Sequence, residues 1–315
     1  MVTAACAPSP SASTQTSQSR AVARTPGATP TVVPLPPYAI ATLRTRPRPT
    51  GRISVGDAIG SGPGYAKYHV TWTSAGDTMT GVLDIPSGGG RFPVVLVNHG
   101  YAPVSQYYEG LDTAPYADPM ASAGFLTISP SYPGYLGSGP GATNVPSIVG
   151  AAISDLDLIS ELPTLSQADP TRVAVAGHSN GGGVAEILMA ADPGLRAAVL
   201  YAPVSSDMAD NASKGWVHAT SGTGGVPDPA SDAAAYQLMS PRPWFDAGTP
   251  PALIMQGTAD PEIPADWTAA TVQALQADGA HVQFVSFAGA THIFGGADLT
   301  RANSLAIDWL KTWVG

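Results

Sequence analysis

The chain has 315 residues, of which 44% are apolar, enough for a sizeable core in one large or two small domains. It carries 14 basic against 23 acidic residues, a balance that argues against nucleic acid as a partner of the folded part. No apolar run reaches the roughly 18 residues that a membrane-spanning helix needs.

Charge is unevenly placed. Arg20, Arg24, Arg44, Arg46, Arg48 and Arg52 all precede Asp57, the first acidic residue, which leaves the remainder with 8 basic and 23 acidic side chains. That remainder reads as a soluble, acidic domain. Cys6 is the only cysteine, so no intrachain disulfide forms and disulfides give no compartment signal. Small residues precede it and Ala7-Pro8-Ser9-Pro10-Ser11 follows, a setting that resembles the end of a bacterial lipoprotein signal. A lipid anchor at Cys6 would need a signal segment upstream of this chain and would place the protein outside the cytoplasm.

Residues 1 to about 50 are rich in Ser, Thr, Pro and Ala and read as a disordered tether, with order beginning near Ile53. From Lys67 to Pro86 the residues alternate around a Ser74-Ala75-Gly76-Asp77 turn, the pattern of an antiparallel hairpin that makes His69 a structural residue. Phe92-Pro93-Val94-Val95-Leu96-Val97 is an unbroken apolar strand of the kind buried on both faces of a parallel sheet. A weak helix over Ala114 to Ala123, a strand Phe125–Ser129 and a helix over Ile148 to Leu162 follow. Val173–Ala176 and Ala197–Ala202 read as further buried strands. Residues 204 to about 249 are polar and Gly/Pro-rich, a cap-like insertion. Regularity returns with strand Ala252–Gln256, helix Ala265 to Ala277, strand Val282–Phe287 and a last helix from about Leu299 to Val314. Such alternation predicts an α/β fold, with a parallel sheet covered by helices on both faces and an active site at the carboxyl ends of the strands.

Gly177-His178-Ser179-Asn180-Gly181 lies between a predicted strand and the helical stretch Val184–Ala190, and fits the G-x-S-x-G nucleophile elbow. The turn is too tight for a Cβ two residues before or after Ser179. A nucleophilic serine needs a base, an orienting acid and an oxyanion hole. His292 follows the last predicted strand and is the leading base; His281 opens that strand at the wrong edge, and His178 diverges from Ser179 and reads as structural, while His218, in the irregular insertion, could line a substrate pocket but reads first as a surface residue. Asp260 follows a buried strand and leads as the acid, with Glu262 second and Asp207 and Asp210 in reserve. The Asn180 N–H comes with the elbow, and the Tyr101 N–H, after strand Val94–Val97, is the second candidate donor. Tyr132, Tyr135, Trp216 and Trp244 are candidate substrate contacts, with Trp216, Trp244 and Phe245 equally able to form the core of the insertion. No metal-binding or phosphate-binding motif is present, so no cofactor is expected.

Asn98-His99-Gly100-Tyr101, Gly177-His178-Ser179-Asn180-Gly181-Gly182, Tyr201-Ala202-Pro203-Val204-Ser205-Ser206-Asp207, Gly257-Thr258-Ala259-Asp260 and His292 occur in an order that resembles the α/β-hydrolase superfamily, close to its prolyl-oligopeptidase and dienelactone-hydrolase-like branch. The resemblance covers about residues 65 to 315. It implies a mostly parallel eight-stranded sheet, a Ser179–Asp260–His292 triad, and Tyr101 and Asn180 as hole donors. Peptidases of that branch carry a large N-terminal propeller, which the leader cannot supply; this favours a carboxylesterase acting on small-molecule or polymeric esters over a peptidase or amidase.

Overall fold

The computed structural model describes Met1 and residues 35–218 and 232–315. Cys6 and most of the predicted tether lie outside the described residues.

Alternating apolar residues with a tight turn produce the first part of the sheet. Strands β2 (Tyr65–Ser74) and β3 (Asp77–Pro86) pair antiparallel without a break. Ala75 and Gly76 close the hairpin with φ of 52° and 89°, the double left-handed turn whose twist matches that of the flanking strands. An edge strand, β1 (Ser54–Gly62), pairs with β2 through two register shifts. β3 in turn pairs antiparallel with β5 (Leu126–Pro130).

From β5 onward the sheet is parallel, through β4 (Phe92–Asn98), β6 (Ala168–His178), β7 (Ala197–Tyr201), β8 (Ala252–Gly257) and β9 (Val282–Phe287). The order is β1-β2-β3-β5-β4-β6-β7-β8-β9, so this sheet has nine strands rather than the expected eight. β1 is the addition. Eight of its nine residues are exposed, and Ser-Val-Gly-Asp-Ala-Ile-Gly-Ser-Gly lacks the alternation that marks a half-buried strand.

Alternation along β4 feeds two separate cores, because successive side chains point to opposite faces. Val94 and Leu96 join α1 (Ile40–Thr45), α3 (Ser147–Glu161), α4 (Asn180–Ala191) and α7 (Ala265–Ala277) on one face. Val95 and Val97 join α2 (Ala114–Ser122) and α8 (Gly296–Trp313) on the other. Both faces of the central strands are thereby buried, which explains their unbroken apolar sequence. The insertion contributes α5 (Met208–Ser213), α6 (Ala233–Met239) and a 3-10 turn at Arg242–Trp244; its residues 219–231 lie outside the described residues.

A short helix, α1, lies within the last part of the stretch read from the sequence as tether. Ile40 and Leu43, three residues apart on one face of α1, are fully buried. Arg46 grips Asp157 with both arms at 2.6 and 3.0 Å, and Ser74 Oγ donates to the same carboxylate at 2.8 Å. A single helical turn among prolines carries too few apolar residues to stand out in the sequence; it is the buried Asp157 on α3 that requires this arginine. Asp157 has no side-chain exposure, so Arg46→Ala leaves a buried carboxylate with one hydroxyl donor. Urea unfolding of this variant should show a loss of about 3 kcal/mol, and adding Asp157→Asn should recover much of it.

Candidate active site

β6 ends at His178 and α4 begins at Asn180, so the whole reversal falls on Ser179. Its backbone takes φ 54° and ψ −119°, a conformation that costs on the order of 1–3 kcal/mol for a residue with a side chain. Two hydrogen bonds with the end of β7 and the loop after it hold it there: Ser179 N–H donates to Tyr201 O at 3.0 Å, and Val204 N–H donates to Ser179 O at 3.1 Å. A Cβ at position 177 would strike the Gly181 carbonyl, and one at 181 would strike the Asn98 carbonyl. The two glycines expected from the motif are therefore imposed by backbone contact with α4 and with β4.

His292 lies on the loop after β9 and Asp260 on the loop after β8, as their positions in the sequence imply. Their side chains meet, with His292 Nδ1 2.9 Å from Asp260 Oδ2. Three further donors fix the carboxylate: the Glu262 and Ile263 N–H groups on Oδ1 at 2.8 and 3.0 Å, and Gln256 Nε2 on Oδ2 at 2.8 Å. With the proton on Nδ1, the lone pair of His292 is left on Nε2, the tautomer a general base requires. Glu262 does not take the place of Asp260; its Oε2 lies 3.7 Å from the opposite nitrogen, Nε2.

The loop after β4 supplies the remaining edge. Gly100 N–H donates to Asp112 Oδ2 at 2.6 Å. Among the described residues the next N–H, that of Tyr101, and the Asn180 N–H at the start of α4 have no hydrogen-bond acceptor. Beneath them His99 is buried and neutral, its pKa pushed down to about 4 by burial, with Nδ1–H donating to Gly100 O at 2.7 Å. Tyr132 stacks on the His99 ring at 3.8 Å and donates its hydroxyl to His99 O. Tyr135 donates to Ala102 O at 2.8 Å. These two tyrosines brace the loop as well as facing the site.

A cavity of about 510 Å³ opens beside Ser179 and is lined by Tyr101, Tyr132, Tyr135, Val204, Trp216 and Glu262. His218 is exposed and also lines it, so both sequence readings of this residue hold. Trp244 does not: it lies under the Arg44 guanidinium at 4.9 Å and packs on the core, because α1 occupies that side. Phe245 is likewise core. The reserve acids are engaged elsewhere, Asp207 and Asp210 with Arg242 at 3.7 and 3.4 Å. His69 pairs with Glu109, and His281 stacks on Trp309. One pair escaped the sequence altogether, Asp112 with His178, joined at 2.9 Å. Asp112 stands in an irregular loop with a φ of 67° and has no motif to announce it.

The family model described as "Prolyl oligopeptidase family" matches residues 156–315, the half of the chain that carries Ser179, Asp260 and His292. The chain belongs to the prolyl oligopeptidase family. It is a serine hydrolase with the α/β-hydrolase fold. A chlorophyllase model matches residues 70–200, and no curated protein matches this family member by sequence. Acetyl xylan esterase 1 from Thermoanaerobacterium sp. superposes with a TM-score of 0.62 at 15% identity, over 83% of this chain and 88% of that one. Thermogutta terrifontis esterase 2, in its form phosphorylated by paraoxon, gives 0.54 at 18% identity over 84% and 95%. The acylaminoacyl peptidase of Pyrococcus horikoshii gives 0.63 at 19% identity, over 79% of this chain but only 42% of the peptidase. At these identities the likeness is one of fold.

For this prolyl oligopeptidase-family chain the close approach at the elbow sets a sharp expectation. Gly181→Ala should lower stability by about 1–3 kcal/mol through overpacking against the Asn98 carbonyl. Thermal melting will show it, and a melting temperature equal to wild type would mean that the turn is looser than described.

Proposed function

We propose that the protein is a carboxylesterase in which Ser179, His292 and Asp260 form the catalytic triad. The observation that carries this reading is the fixed Asp260–His292 pair on the loops after β8 and β9, at the same carboxyl edge of the sheet as Ser179, which lines the cavity. Ser179 Oγ attacks the ester carbonyl as His292 Nε2 takes its proton, and Asp260 stabilises the imidazolium through Nδ1. The Tyr101 and Asn180 N–H groups receive the tetrahedral oxyanion, aided by the positive end of α4. His292 then gives its proton to the leaving alcohol, and water repeats the sequence on the acyl-enzyme.

Ester rather than peptide substrates are favoured by the lining, in which aromatic rings surround the nucleophile and, among the described residues, no arginine or lysine is present to hold a peptide carboxylate. The chain also spans nearly the full length of the esterases it superposes on, but under half of the peptidase. The substrate class is a small or polymeric carboxylic ester. Lipidation of Cys6 would hold this activity outside the cytoplasm.

Glu262 favours a second reading. Among the described residues it is the one acidic residue lining the cavity, beside the nitrogen that serves the leaving group. A free-amine aminoacyl substrate could set its ammonium against that carboxylate, a role for which Asp207, Asp210 and Glu109 are already engaged.

Parallel initial rates on p-nitrophenyl esters of increasing chain length and on aminoacyl p-nitroanilides separate the two. The ester reading predicts kcat/KM on the best ester at least about a hundredfold above that on any anilide, with Glu262→Gln nearly neutral on esters. Anilide hydrolysis that dominates and collapses in Glu262→Gln would replace it with the aminoacyl reading.

A further inference from the structure

We propose that His178 is a buried imidazolium which, clamped by Asp112, positions the base-bearing loop and the oxyanion loop together. This rests on the reading of Ser179 as nucleophile and His292 as base.

Both ring nitrogens of His178 face groups that only accept. Nδ1 lies 2.9 Å from each carboxylate oxygen of Asp112, and Nε2 lies 3.1 Å from the backbone carbonyl of His292. A neutral imidazole has one N–H and could satisfy only one of these partners. The His178 side chain is 4% exposed, so water cannot supply the missing donor.

The same carboxylate also receives the Gly100 N–H at 2.6 Å. One Asp–His pair therefore ties together three loops: the loop after β4 with the oxyanion donor, the elbow after β6, and the loop after β9 with the base. Holding the Gly100 N–H turns that peptide away from the site and leaves the Tyr101 N–H to face it. Holding the His292 carbonyl fixes the backbone from which its ring reaches Asp260. Asp112 and His178 touch no substrate in this arrangement; they are positioning residues.

The charges facing the ring agree with a cation. Asp112 comes from the loop before α2, Asp260 from the loop after β8, and the neutral ring of Tyr116 on α2 lies 5.9 Å away. His292, the other titratable neighbour, has its ring centroid at 4.7 Å. Burial disfavours the charged ring of His178, but the Asp112 carboxylate and the His292 carbonyl outweigh it and raise its pKa above the usual imidazole value. Burial likewise opposes ionisation of Asp112, and His178 reverses this, lowering its pKa. The folded-state pKa of His178 is raised, so the charged clamp is fully present below the usual imidazole pKa, while Asp112 stays ionised, and is lost as pH rises through the raised value.

Histidine-selective 15N NMR on the full chain tests this, with His178→Gln to assign the resonances. The proposal predicts two ring N–H protons on His178 at neutral pH; a single ring N–H would overturn it. Asp112→Asn preserves the shape, since its amide can still accept from Gly100 N–H and donate to Nδ1, but it leaves His178 neutral. Its kcat should fall about ten- to a hundredfold, because neutral hydrogen bonds hold the three loops less firmly than charge-assisted ones, with KM within about threefold. The alkaline fall in the wild-type kcat/KM profile should also vanish, because the variant has no His178 proton to lose. Wild-type kcat with an unchanged profile would overturn the proposal. The ring N–H count is read in folded protein whether or not any ester is turned over, so failure of the esterase reading would be seen separately.

Discussion

Everything at the catalytic edge depends on one backbone contact, the passage of Gly181 against the Asn98 carbonyl. Because no Cβ intervenes, α4 can start directly at the end of β6, and the reversal is compressed into Ser179 alone. The unfavourable dihedrals of that residue are held by hydrogen bonds from Tyr201 and Val204, which belong to the next strand and its loop. The central strands are apolar on both faces, so the two cores lock their relative positions and the strained serine cannot relax without disturbing β4, β6 and β7 together. Strain at the site is thus sustained by packing away from it.

Electrostatics forms the second layer. Acidic residues outnumber basic ones, and three that lie inside or beside the site have their own donors. Arg46 supplies them for Asp157, the Glu262 and Ile263 amides with Gln256 for Asp260, and His178 with the Gly100 amide for Asp112. The last two carboxylates act on the two histidines that flank the elbow, and each fixes which nitrogens carry protons. In Asp260–His292 this leaves a lone pair on Nε2, the nitrogen beside Glu262. In Asp112–His178 it leaves none, and the ring becomes a fixed donor on both sides.

The residues legible in the sequence were those whose constraint is local or periodic. The glycines of the elbow follow from one turn, the buried strands from their apolar runs, and the places of Asp260 and His292 from the rule that catalytic loops follow parallel strands. Residues whose role depends on a distant partner were not legible. α1 looks like tether until Asp157 is seen to need Arg46; β1 lacks alternation because almost none of it is buried; Trp244 was drawn toward the cavity by composition and away from it by Arg44. His178 reads from the sequence as structural, but its partner Asp112, 66 residues earlier, leaves no trace in spacing.

Family membership and fold make the chain a serine hydrolase, and the site geometry points to Ser179 as the residue that does the chemistry. Treating folded protein with a fluorophosphonate and mapping the adduct by mass spectrometry tests this most directly. The account predicts a stoichiometric label on Ser179, lost in His292→Ala, where the serine has no base. A folded sample that takes no label, or takes it on another residue, would contradict the triad and with it the esterase assignment.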